Sequence, residues 1–171
     1  MAISMSSASV PVFKHMLQNL SHFLDKAAAH AEARKFDAGN LLVDRLAPDM
    51  LPFTKQVQIA TDSAKLCVGR IAGVEWPKFE DSETTIAELK TRIQKTLDFL
   101  ASVPAAQLDG TESKEITIPT GRDTTRTMTA EDYLRFHAFP NFFFHVTTAY
   151  AILRHNGVEL GKRDFLVGSK A

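Results

Sequence analysis

The 171-residue chain carries 20 basic and 20 acidic residues and a formal charge of zero. That balance excludes the long-range positive field that nucleic acid or an anionic membrane surface would require, so neither is expected as a partner. A chain of this length can bury roughly 70% of its unfolded surface, which suits one domain over residues 1–171 with no disulfide staple. Cys67 is the single cysteine and lies among apolar neighbours, where a free thiol acts as a small hydrophobe in a reducing compartment.

Met1 to Val12 shows neither a basic leader nor an apolar run of signal-peptide length, and no stretch approaches the roughly 18 apolar residues of a membrane span. A cytoplasmic location is expected. The terminal Ser169-Lys170-Ala171 loosely resembles a peroxisomal address but departs from it at the last residue.

Four helical segments follow from hydrophobic spacing. Phe13, Leu17, Leu20, Leu24, Ala27 and Ala31 recur at intervals of three and four and form one apolar stripe. His15 and His22 share the opposite face and are expected in solvent, while His30 lies at the edge of the stripe. A second segment opens near Pro48-Asp49, carries Phe53, Val57, Ala60, Ala64, Cys67, Val68 and Ile71, and stops at Gly73, where a left-handed cap is cheap. Thr84 or Thr85 caps a third, with Glu88 in the first turn and a stripe of Ile86, Leu89, Ile93, Leu97 and Leu100, ended by Pro104.

Between 114 and 128 the period changes. Ile116 and Ile118 alternate with threonines, and Thr120-Gly121-Arg122-Asp123 supplies turn chemistry, which predicts a short exposed hairpin. The last helix starts after Thr129, runs to Asn156-Gly157, and should kink at Pro140. The fold class is therefore all-α: a four-helix bundle with a small β-hairpin before its last helix.

No phosphate-binding glycine loop, cysteine pair, H-E-x-x-H helix or nucleophile elbow is present, so the candidate chemistry rests on one histidine. His145 falls within the stripe of Phe142, Val146, Ala149, Ile152 and Leu153 and should point inward. A buried imidazole needs partners for its nitrogens, and Asn141 at i−4 and Thr148 at i+3 are in reach. Gln56 borders the apolar face of the second helix, with Gln58 and Asp62 further round. A convergence of His145, Asn141 and Gln56 or Gln58 would make a small polar site in the bundle, with Asp62, Thr148 and Arg154 as further ligand contacts. A core histidine bonded for packing is the plainer reading. Arg154 and Gly161-Lys162-Arg163-Asp164-Phe165 suit either a gate over a pocket or a tail docked through Phe165. Phe139, Phe142, Phe143 and Phe144 exceed what one stripe needs, so some rings should face a ligand pocket or a dimer interface.

The run Pro140-Asn141-Phe142-Phe143-Phe144-His145-Val146-Thr147-Thr148-Ala149-Tyr150-Ala151-Ile152-Leu153-Arg154-His155-Asn156-Gly157, followed by Gly161-Lys162-Arg163-Asp164-Phe165-Leu166, resembles an uncharacterised bacterial and fungal family of the DinB/YfiT-like metalloenzyme superfamily. Gln56-Val57-Gln58-Ile59-Ala60, Ala64-Lys65 and Arg70-Ile71-Ala72-Gly73 match the same family's second helix. The resemblance implies an up-down-down-up bundle, often a homodimer, which differs from a simple up-down bundle in the direction of one helix. It also implies three histidines around a divalent metal: one on the second helix and a His-x-x-x-His pair on the last. This chain departs from that pattern, since no histidine lies between His30 and His137 and His145 is flanked at those spacings by Asn141 and Ala149. The expected readings are an enzyme acting on a small molecule, with His145 as acid or base and Gln58 or Asn141 orienting substrate, or a non-catalytic small-molecule-binding or dimeric module. No metal ligand set is assigned; the cofactor reading leaves a divalent metal open, with the three-histidine pattern missing.

Overall fold

The structure is a computed structural model that describes residues 3–170. The last residue of the peroxisome-like tripeptide and the first two of the N-terminal segment lie outside those residues. Helix α1 spans Met5–Arg34, α2 Gly39–Val43, α3 Phe53–Ala72 and α4 Ile86–Ser102. Strands β1 Glu115–Pro119 and β2 Thr125–Thr129 precede the short α5, Ala130–Tyr133, a wide π-helical turn over Leu134–Ala138, α6 Phe139–His155 and α7 Lys162–Val167. Among the described residues no helix is long and apolar enough to cross a membrane.

Local chemistry sets the ends. Ser4 and Ser7 form a reciprocal cap that starts α1 eight residues before Phe13, the first position of the predicted stripe. Thr85 and Glu88 make the same arrangement at α4, satisfying two orphan N–H groups. Helix α3 opens at Phe53 instead of near Pro48, because Pro52 is extended and cannot continue a helix backwards. It ends where expected, at Gly73 in the left-handed region with φ 71°.

Side-chain pairs give the helix directions. Gln56, Ser63 and Arg70 of α3 meet His145, Asn141 and Tyr133 in turn, so α3 and the α5–α6 course are antiparallel. Phe13 meets Phe142 and Phe23 meets Tyr150, so α1 and α6 are parallel. Asp25, late in α1, bonds Lys90, early in α4, and that pair is antiparallel. Helices α3 and α4 are therefore parallel, which gives the up-down-down-up bundle. The Gly73–Thr85 connection makes this feasible. Extended, it reaches about 40 Å, enough to return along the 20 residues of α3, about 30 Å long. This strap lies against α3: Trp76 packs on Gly69, and Glu83 bonds Gln58.

The core is continuous through the four long helices, with Phe13, Leu17, Leu20, Phe53, Val57, Ala60, Leu89, Ile93, Phe142, Val146 and Ala149 all excluded from solvent. The hairpin pairs Ile116 with Met128 and Ile118 with Arg126. It is less exposed than predicted, because Ile116 and Ile118 are buried and join the core.

The interruption expected at Pro140 coincides with a π-helical turn just before it. Lacking an N–H and crowding the carbonyl four residues back, Pro140 follows directly on the π-turn, where the Phe139 N–H reaches back to the Leu134 carbonyl. The extra residue of the wide turn absorbs the misfit without ending the helix.

His15 lies at the surface as expected, although its Nε2 bonds the Leu166 carbonyl at 2.6 Å. His22 is not free in solvent: α7 packs across α1, and Asp164 takes bonds from His22 at 3.1 Å and Lys26 at 2.8 Å. The carboxylate also accepts the Gly161 N–H at 2.7 Å and caps α7, while Phe165 docks on Phe23 and Tyr150. Burial alone would raise the Asp164 carboxyl; Lys26, Gly161 and His22 outweigh it and bring it down to about 2. A carboxyl depressed when folded stabilises the fold above its ordinary value and loses that contribution as pH falls through about 2. Asp164→Asn is expected to cost about 1.5 kcal/mol at pH 7, measured by urea unfolding, with the difference vanishing in acid.

Candidate functional site

The groove between α3 and α6 gathers most of the polar side chains that the sequence marks. At one end His145, 8% exposed, holds its Nδ1 at 2.7 Å from Gln56 Oε1. Gln56, 1% exposed, donates its Nε2–H to the Leu51 carbonyl at 2.8 Å. That second bond fixes the amide, since the reverse orientation would set carbonyl oxygen against carbonyl oxygen. Gln56 Oε1 therefore accepts, and His145 Nδ1 carries the proton. Burial pushes the His145 imidazole below the ordinary histidine value, which favours the neutral ring. Nε2 is then a lone-pair nitrogen, with no hydrogen-bond partner among the described residues. The Phe144 ring stands edge-on to the imidazole at 5.2 Å.

The predicted convergence is only partly realised. Gln56 meets His145, but Asn141 donates to Ser63 Oγ at 2.7 Å, one turn along α6, and Thr148 is occupied with the Phe144 carbonyl of its own helix. Helical geometry explains the failure: i−4 and i+3 side chains leave the same face as His145 but lean toward their own backbone or the next turn of the facing helix. Arg154 is exposed and donates to the Val158 carbonyl at 3.0 Å, closing the end of α6 far from His145.

Gln58 and Asp62 belong to a separate assembly on the α4 side. Gln58, further round α3, is as buried as Gln56, because α4 and the strap cover this second face of α3, but it does not reach His145. The Gln58 Nε2 donates to Glu83 at 2.7 Å, and its Oε1 is buried without a partner among the described residues. At the centre lies Arg92, 2% exposed. Its guanidinium bonds Thr61 Oγ1 at 2.7 Å, Asp81 at 2.7 Å, Asp62 at 2.8 Å and Glu83 at 3.0 Å, and faces the Phe79 ring. Lys65 Nζ lies over the other part of this cluster, 2.7 Å from Asp62 and 3.7 Å from the Phe79 centroid. Burial would raise Asp81 and Glu83; Arg92 overrides it and holds both below the usual carboxylate range.

Further along the α3/α6 groove is a cleft of about 240 Å³, lined by Asp62, Ser63, Arg70, Tyr133, His137 and Asn141 among others. The π-turn displaces His137 from regular helical phase, and its ring stacks on Tyr133 at 5.5 Å. Tyr133 is buried and its hydroxyl bonds Arg70 NH1 at 2.8 Å; burial, with the neighbouring Cys67, raises it to about 12 despite that guanidinium. Sequence reasoning missed Arg70, Tyr133, His137 and Arg92. Arg92 was detectable, since it interrupts the Leu89–Ile93 stripe of α4; Tyr133 and His137 flank or lie in a turn that helical periodicity does not register, and Arg70 on α3 gains its role only from Tyr133.

The fold and this groove define a DinB-like four-helix bundle. The family described as Domain of unknown function (DUF1993) matches residues 5–166, and the chain belongs to it. It is similar to a solved DinB family member protein from Shewanella denitrificans, with 44% identity over 94% of this chain and 90% of that one and a TM-score of 0.88. No curated protein matches the chain.

The three-histidine metal centre implied by the superfamily does not fit these residues. Gln56 and His145 close on each other, Asn141 is committed to Ser63, and Ala149 offers no ligand atom. Neutral amides are poor ligands for zinc or nickel. Among the described residues no group of three histidine, cysteine, aspartate or glutamate side chains is arranged to hold a metal.

Proposed function

We propose that the chain is an enzyme acting on a small molecule at the α3/α6 groove, with His145 as its acid–base residue. The observation that supports this reading is the Leu51–Gln56–His145 relay, which sets the tautomer and leaves Nε2 as a base. Nε2 takes a proton from a substrate O–H, N–H or activated C–H, and the imidazolium so formed is stabilised by the Gln56 carbonyl oxygen. The proton returns to the leaving atom as the reaction closes. Leu51, 46% exposed, and Phe144, 54% exposed, give this end of the groove an apolar rim. Asn141, one turn away, uses its amide N–H on Ser63 and keeps its carbonyl oxygen for a substrate donor.

Nitrogen-15 NMR of the His145 ring tests the proposal. The Nδ1–H tautomer is expected, with a midpoint below the ordinary value of about 6.5. Gln56→Leu should release the tautomer preference. An Nε2–H ring in the native protein would remove the base and sink the reading. For a substrate found by screening, His145→Ala should lower kcat/KM by about 10²–10⁴. Activity should rise with pH through the His145 midpoint and level off above it, because the neutral form is the active one.

A second reading, a homodimeric or ligand-binding module without catalysis, is favoured by the same exposed Leu51 and Phe144. Under it Phe144→Glu would dissociate a dimer detected by light scattering; a wild-type monomer at micromolar concentration would count against it.

A further inference from the structure

A second feature of the molecule stands apart from His145, which lines neither of the cavities concerned. Arg70, half-buried near the end of α3, borders two clefts: the 240 Å³ inner one already described, and an outer one of about 560 Å³ lined by Gly69, Gly73, Glu75, Trp76 and Lys78. Each is of ligand size or close to it. The guanidinium lies between two aromatic faces, 5.9 Å from the Trp76 ring and 5.8 Å from that of Tyr133. The indole can come this close to α3 only because residue 69 is glycine; a Cβ there would meet Trp76 Cε3 at 2.6 Å.

Arg70 spends one N–H on the Tyr133 hydroxyl and has no carboxylate partner among the described residues. A guanidinium has five N–H donors in a planar fork, and those that Tyr133 leaves free open onto the two clefts. The contrast with Arg92, which collects three carboxylates, is direct. The surroundings do not supply the missing charge. Asp62 in the inner cleft is already neutralised by Arg92 and Lys65, and the outer cleft is lined by one acid, Glu75, and one further base, Lys78, neither bonded to Arg70. His137 lies below the ordinary histidine value because of burial and the positive fields of Arg70 and Arg126, so it adds no charge but records the sign of the local field.

We propose that Arg70 anchors a binding site for a small organic anion, a carboxylate or phosphate monoester with a flat apolar body. The anion pairs with the open edge of the guanidinium, and the body packs against Trp76 in the outer cleft.

Trp76 is the one tryptophan of the chain, so its fluorescence reports this cleft directly. Wild type is titrated with benzoate, phenyl phosphate and neutral benzamide. A saturable change with either anion, absent with benzamide, is expected; benzoate alone assigns the carboxylate, phenyl phosphate alone the phosphate, and both the shared anion anchor. Arg70→Met should weaken the response at least tenfold, with folding checked by circular dichroism. If that variant does not fold, phenylglyoxal labelling of the wild type decides. Arg70 should be modified and should be shielded by saturating ligand, as mapped by mass spectrometry. The proposal is overturned by no saturable change up to about 10 mM, where a millimolar site would be filled. An equal response to benzamide, an unchanged response in folded Arg70→Met, or no shielding would overturn it as well.

Discussion

Replacing Arg92 by methionine is expected to lower the unfolding free energy by about 3–4 kcal/mol, read as a fall in the urea midpoint. Methionine fills much of the space but leaves the Thr61 hydroxyl, the Gln58 carbonyl and the inner carboxylate oxygens without their shared donor. Glu83 is the most buried of the three acids and contributes most of the uncompensated charge, while Asp81 and Asp62 can recover water. The strap between Gly73 and Thr85 should detach first, because loss of Arg92 leaves Glu83 held by Gln58 and Asp81 held only by the exposed Lys55 pair at 3.4 Å. The pH dependence has a definite sign. Asp81 and Glu83 are depressed in the folded state, so their contribution is complete above the ordinary carboxylate values and declines as pH falls through the lower folded ones. The difference between wild type and variant should therefore shrink below about pH 4. A loss of less than about 1 kcal/mol at pH 7 would mean that Arg92 is no more than a surface ion pair.

Phe142→Ala should cost about 3–5 kcal/mol, the range for emptying a fully buried aromatic site. Phe142 has no exposed surface and meets Phe13 edge-on at 4.9 Å and 88°, joining α1 to α6 at the level of the groove. The hole cannot collapse cheaply, since Phe13 also packs on Phe139 at 5.3 Å and Phe143 packs against Phe142 itself. Phe142→Leu keeps most of the volume and should lose about 1–2 kcal/mol. Thermal unfolding of the pair separates the two cases; equal losses would show that ring geometry, not filled space, holds this contact together.

Much of the architecture is legible in the sequence, and the reasons are physical. The stripes of α1, α3 and α4 are periodic because each buries one face, and the Thr85–Glu88 and Thr129 caps are short-range chemistry. The inward direction of His145 follows from the same periodicity. Helix direction is harder to read, since a stripe is the same whichever way it runs; here the resemblance supplied it, and the length of the Gly73–Thr85 connection accounts for it. The partners of the polar residues were least accessible. Gln56 and Gln58 are two residues apart with the same side chain, yet one faces His145 across the bundle and the other faces Glu83 on the strap. That choice depends on which neighbour covers each face of α3, a tertiary fact with no local signature. Tyr133 and His137 escaped because a constant helical period assigns them the wrong phase.

The π-turn at Leu134–Ala138 is in effect one residue added to an α-helix. Removing a single residue there would restore regular winding and turn the adjoining α5 by about 100° relative to α6. Tyr133 would swing away from Arg70, while His145, downstream of the change on α6, would keep its contact with Gln56 on α3. Chain length at this one point is thus a setting that rephases one end of the groove against a fixed other end. A relative that gains or loses a residue here would alter the Arg70 cleft in one step without touching the histidine.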